Sequence, residues 1–75
     1  YNPIEVKVPE SSQIIGQTIA DIKLWQHTGA TIVAIRRGTE IIISPGPRAT
    51  FYANDRVVVV GNSDVLQQVT NFINR

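Results

Sequence analysis

The sequence predicts a small α+β domain in the order strand, helix, three strands, helix (β-α-β-β-β-α), with a mostly antiparallel sheet. Three observations carry that expectation. Ile4, Val6 and Val8 alternate with Glu5 and Lys7, the period-2 pattern of a half-exposed strand. Residues 30–35 form a continuous apolar run too short for a buried helix, and 56–60 form a second, β-branched run between turn residues. Val65, Leu66, Val69, Phe72 and Ile73 then recur at helical spacing, the strongest periodicity in the chain.

Each element follows in turn. Pro9 ends the first strand, and residues 10–13 read as a polar loop. Ile15, Ile19 and Ile22 fall at i, i+4 and i+7, one helical stripe, with Thr18 placed to cap it. That predicts a helix over about 18–26, stopped by Gly29. Gly38-Thr39 suits a two-residue hairpin turn that begins with glycine, and Ile41, Ile42 and Ile43 form the returning strand. Pro45-Gly46 reads as a turn in which proline presets the first central position and Gly46 supplies a positive φ. Pro47 stiffens residues 44–48 into an elbow. Asn54-Asp55 signals a turn before the last strand, and Asn62, Ser63 or Asp64 is expected to cap the final helix.

Composition narrows the function. At 75 residues the chain reads as one domain, 1–75. It starts at Tyr1, just before a strand and without an initiator methionine, so it is expected to be excised from a longer protein. Zero cysteines exclude disulfides, thiolate metal sites and cysteine nucleophiles, and point to a reducing compartment. The single histidine, His27, cannot hold a zinc ion alone. A net charge of +1 lacks the basic excess that direct nucleic-acid binding needs. No run of apolar residues is long enough to span a membrane.

A catalytic reading fails on inventory. Only His27 could serve as a nucleophile's base, and no serine sits in a nucleophile-elbow context. Glu5, Glu10, Asp21, Glu40, Asp55 and Asp64 all fall at turns, helix starts or exposed strand positions, where solvation or capping explains them. No glycine-rich phosphate loop occurs. An anion could be met by the amides near 18–20, or by Lys23, Arg36, Arg37 or Arg48; the ordinary role of such cations is a solvated surface.

Trp25 lies one residue off the isoleucine stripe and admits three roles: core filler, interface anchor or a stacking platform for a base. The ordinary role of His27 is a partly exposed hydrogen bond near the helix end. The 30–35 and 57–60 strands need cover on both faces, and two short helices can cover only one. A symmetric dimer is the simplest closure, and a pocket on its axis suits a two-fold symmetric ligand.

Several stretches together resemble the RCK_C (TrkA C-terminal) family. They are Ile15-Gly16-Gln17-Thr18-Ile19-Ala20-Asp21-Ile22, then residues 28–38 (TGATIVAIRRG), Ser44-Pro45-Gly46-Pro47, residues 53–61 (ANDRVVVVG) and the closing helix. The resemblance spans residues 4–73. It implies a cytoplasmic regulatory domain that forms a homodimer, requires no cofactor and acts on an attached or partner membrane cation transporter or channel. Some members bind cyclic di-AMP at the dimer interface, between the first helix and the following strand of both subunits. Others are dimerising connectors, and some belong to transcription regulators. Carried over position by position, the family's helical apolar pair falls on Ile19 and Ala20, and its downstream aliphatic pair on Ile32 and Val33. Its acidic position is Lys23 here, its arginine is Trp25 and its asparagine is Thr31. Lys23 can still meet a phosphate as a point charge, Thr31 keeps a hydroxyl, and Trp25 can wall the pocket.

Overall fold

The computed structural model describes residues 3–62 and 64–74. Four strands, β1 (Ile4–Lys7), β2 (Thr31–Arg37), β3 (Glu40–Ile43) and β4 (Arg56–Val60), form one antiparallel sheet in the order β1-β4-β2-β3. Two short helices, α1 (Ile19–Ile22) and α2 (Leu24–Thr28), join β1 to β2, and α3 (Val65–Ile73) closes the chain. The predicted α+β architecture is the observed one.

Register sorts the side chains. Val6 opposes Val57, which opposes Ile35, which opposes Ile42, so these four share the face beneath the helices. Val8, Ile14, Ile22, Leu24, Ala30, Phe51, Val59, Val65, Val69 and Ile73 complete that core. The opposite face carries Ala34, Val58, Val60, Ile41 and Ile43, with Glu5, Lys7, Arg36 and Arg56. On the edge strand Ile43 is 72% exposed. The helices thus cover one face and leave the other open.

The first helix differs from expectation. The continuous helix predicted over 18–26 is two helices, broken at Lys23, which adopts a left-handed conformation (φ 50°, ψ 47°). The reason lies in its neighbours. Ile22 and Leu24 are both buried, yet in one straight helix residues two apart point to nearly opposite sides, about 160° apart. Breaking the helix between them turns both onto the core. A left-handed lysine costs roughly 1–2 kcal/mol, and burying each aliphatic side chain returns about 1.5–3 kcal/mol. Ile15 belongs to no helix; it forms a bridge with Phe51.

Thr18 caps α1 as expected, its Oγ1 accepting from the Asp21 N–H at 3.1 Å. Thr18→Ala is expected to cost about 1 kcal/mol in urea denaturation; an unchanged midpoint would show the cap to be idle. Gly29 stops α2 at φ 80°. The hairpin also matches: Arg37 opposes Glu40 across Gly38-Thr39, and Gly38 has φ 60°.

Four further expectations are corrected, and a fifth, the cap of the final helix, holds in position only. Gly46 does not take a positive φ; Ser44 does, at φ 50°, and the turn closes from the Ala49 N–H to the Gly46 carbonyl at 3.0 Å around Pro47. Proline therefore presets this turn from position 47 rather than 45. Ser12, read as part of a polar loop, is buried and donates to the Ile73 carbonyl at the end of α3. Leu66 is exposed, because only Val65, Val69 and Ile73 reach the core, with Phe72 half-buried. Asp64, one of the three candidates, takes the N-cap position of α3 but makes no side-chain cap hydrogen bond; the Val65 N–H uses the Asn62 carbonyl, and Ser63 lies outside the described residues. Asp55, expected to be solvated, is wholly buried against Arg37.

Candidate functional site

A groove of about 320 Å³ runs between α1, α2, the start of β2 and the elbow after β3. Six of the seven predicted site residues line it: Ile19, Ala20, Lys23, Trp25, Thr31 and Ile32. Val33 does not; it sits at the register shift between Ile32 and Ala34, its carbonyl taken by the Ser44 N–H at 2.9 Å. Leu24, Gln26, Ala30 and Pro45 complete the lining and had not been singled out. Only the elbow's proline pair hinted at Pro45. Leu24 and Gln26 enter because the helix breaks, which no periodicity announces.

The elbow is fixed to α1 by main-chain bonds. The Ile19 N–H donates to the Ala49 carbonyl and the Ala20 N–H to the Pro47 carbonyl, each at 3.0 Å. Thr18 also bridges Thr50. These bonds bring Pro45 opposite Ile19 and Ile32. They also engage the amides considered for an anion: those of Ile19 and Ala20 already have acceptors.

The candidate cations separate in the same way. Arg36 donates to Glu5 at 2.9 Å on the open sheet face. Arg37 grips Asp55 with two hydrogen bonds, Nε to Oδ1 and Nη2 to Oδ2, both 2.9 Å, and Nη2 also reaches the Thr50 carbonyl. The Asp55 carboxylate, hydrogen-bonded to the guanidinium, raises the Arg37 pKa against the opposing effect of burial. The Tyr52 ring lies 4.3 Å from the guanidinium carbon. Arg48 is on the elbow, exposed, and does not line the groove. Lys23 alone brings charge to it, and no carboxylate lines it.

Trp25 is 65% exposed, which removes the core-filler reading. It lines the groove, as does Lys23. His27, on the same helix, is exposed and stacks on Phe72 with ring centroids 5.3 Å apart. That packs α2 against α3, not against the groove. Chemically the groove offers aliphatic walls from Ile19, Ile32 and Pro45, one aromatic face, one hydroxyl and one ammonium group. It holds no nucleophile–base pair. Among the described residues no cluster of His, Asp or Glu could hold a metal ion, and no helix is long and apolar enough to cross a membrane.

Comparison with known proteins places the fold in a family. The TrkA-C domain family model matches residues 4–74. Ktr system potassium uptake protein C of Bacillus subtilis (strain 168) is 33% identical over 57 residues, which cover 76% of this chain and 26% of that protein. The chain thus spans about a quarter of that relative's length. Among solved structures, the RCK_C domain dimer of S. agalactiae BusR in complex with c-di-AMP superposes with a TM-score of 0.90 at 38% identity. That match covers 96% of this chain and 89% of the other. BusR in complex with its busAB-promotor DNA aligns equally well, over 35% of its longer chain. The RCK C domain of the potassium transport protein KtrA, in complex with cyclic diadenosine monophosphate, gives a TM-score of 0.84 at 31% identity. It covers 93% of this chain and 80% of the other. By the family match and by the shared fold, the chain belongs to the TrkA-C (RCK_C) domain family.

Proposed function

We propose that this domain is a dimerising ligand sensor in which each groove takes one half of a cyclic di-AMP molecule across a two-fold axis. The bound ligand favours one dimer geometry and thereby controls potassium or other cation transport by the protein that carries or contacts the domain. One observation chiefly supports the reading: six residues separated in sequence form a single apolar groove with one cation, in a chain that shares its fold with two c-di-AMP complexes.

The chemistry assigns the roles. A groove of about 320 Å³ lies at the lower end of small-molecule pockets, roughly 300–1,000 Å³. It suits half of a symmetric dinucleotide, with the second copy closing the exposed side at Trp25. Ile19, Ile32 and Pro45 wall the adenine, Trp25 stacks on it, Lys23 meets a phosphate and Thr31 offers its hydroxyl. The ligand moves the equilibrium only by its difference in affinity for the two dimer geometries, typically 1–3 kcal/mol of coupling.

Calorimetric titration with cyclic di-AMP tests this. Saturation at one ligand per two chains is expected. Lys23→Ala and Trp25→Ala should each weaken binding about tenfold or more, since a charge-assisted hydrogen bond and a stacked base are each worth roughly 1–3 kcal/mol. Absence of both heat and thermal stabilisation at high micromolar ligand would leave only a dimerisation module.

A second host is favoured by one observation: BusR, the 38% identical neighbour, forms a complex with promoter DNA. In that reading the same sensor is the effector domain of a transcription regulator. In it this domain, with a net charge of +1, makes no direct nucleic-acid contact of its own. The sequence of the full-length protein, with membrane spans or a DNA-binding domain, distinguishes the two hosts.

A further inference from the structure

The open face of the sheet carries a feature that the groove does not use. Lys7 opposes Arg56 across β1 and β4, and Arg56 opposes Arg36 across β4 and β2. Directly opposed residues share a face with Cβ atoms about 4.5–5.5 Å apart, and like charges so placed destabilise a sheet. Three cations therefore stand in one row across three strands. Ile41, 57% exposed, continues the row on β3, and half-buried Val58 lies beside it.

The row has one internal counter-charge, Glu5, which accepts from Arg36 at 2.9 Å. Both side chains are more than a third exposed, so the pair is worth about 0–1 kcal/mol and exchanges readily for other carboxylates. Among the described residues Lys7 and Arg56 have no ion-pair partner. An isolated domain gains nothing from opposing three cations, whereas an anionic partner turns the repulsion into attraction.

We propose that the row Lys7–Arg56–Arg36, with the adjoining Val58 and Ile41, is a docking surface for an acidic polypeptide segment that also carries aliphatic side chains. The mixture of cations and branched aliphatics selects this occupant. Single-stranded nucleic acid would be expected to find an aromatic platform as well, but among the described residues Trp25 lines the groove, Tyr52 stacks on Arg37, Phe72 stacks on His27 and Phe51 is buried. A second copy brings the same excess of positive charge against itself. The surface lies at the far end of β2 from Thr31, roughly 16 Å along the strand, and is independent of ligand binding in the groove.

The test is an NMR titration of the ¹⁵N-labelled chain with a synthetic peptide of alternating Glu and Val, beside a DNA duplex. The peptide should shift the amides around Lys7, Arg56 and Arg36 and leave the groove amides, Thr31 and Ile32 among them, unmoved. Its affinity should fall with added salt and drop roughly tenfold in Lys7→Glu/Arg56→Glu. The milder Arg56→Gln should weaken binding in the same direction if the double variant does not fold. No shift at millimolar peptide, equal affinity in the charge-reversed variant, or tighter binding of the duplex at this face would each overturn the proposal. Cyclic di-AMP binding, measured on the same variants, should be unchanged.

Discussion

Phe51→Ala should lower the unfolding free energy by about 3–5 kcal/mol, the usual cost of truncating a buried phenylalanine. Phe51 is the largest fully buried side chain, 0% exposed. Its main chain is also engaged on both sides: the Phe51 carbonyl accepts from the Gly16 N–H at 2.9 Å, and its N–H donates to the Gln17 carbonyl at 3.2 Å. The ring thus fills the core where two irregular segments meet, and neither segment is regular enough to collapse into the cavity. A domain of this length has roughly 4–11 kcal/mol of total stability, so the loss is a large fraction of the whole. At about 4–8 °C per kcal/mol, the melting temperature should fall by about 12 °C or more. A loss below about 1.5 kcal/mol in urea denaturation would show that the site relaxes to fill the gap.

Arg37→Ala should cost about 3 kcal/mol, and more than Asp55→Ala. The asymmetry comes from burial. The Asp55 side chain is 0% exposed, whereas that of Arg37 is 36% exposed. Removing the arginine strands a buried carboxylate whose remaining hydrogen bond is from the Tyr52 N–H, at 2.9 Å. Such a loss costs about 3–5 kcal/mol in a dry site. The lower end applies here, because water can enter from the exposed side of the guanidinium. Removing Asp55 instead leaves a cation that can turn to solvent. The double variant should resemble Asp55→Ala, so the two losses will not add. Equal costs for the two single variants would refute the argument. The sign with pH is also set. Because Asp55 raises the Arg37 pKa, that group's share of the stability is fully present below the ordinary arginine pKa. It is lost only as pH rises through the raised value, far above neutrality.

The contrast between these residues shows what could be read in advance. The strands, the hairpin at Gly38 and the Thr18 and Gly29 boundaries were legible because each depends on a local rule: alternation, turn chemistry or capping. Ile19, Ala20, Lys23, Trp25, Thr31 and Ile32 were legible as a group only through resemblance to a family, since no spacing rule brings a helix and a later strand together. Pro45 entered the groove through two main-chain bonds from α1 to residues 47 and 49. The break at Lys23 arose from the competing demands of Ile22 and Leu24 for the same core.

Asp55 marks the boundary most clearly. In sequence it follows Asn54 in an ordinary turn signal, and solvation is the expected fate of an aspartate there. Its burial depends on Arg37, 18 residues earlier. By itself, the sequence determined the α+β element order, the turns, the apolar faces and the exclusion of cysteine and glycine-rich-loop chemistry. Those follow from residue type and short-range period, which act within a few residues. Tertiary structure alone decided which charges are buried, which cation enters the groove and which form a row on the open face. These depend on register between distant strands, where a shift of one residue moves every side chain to the other side of the sheet.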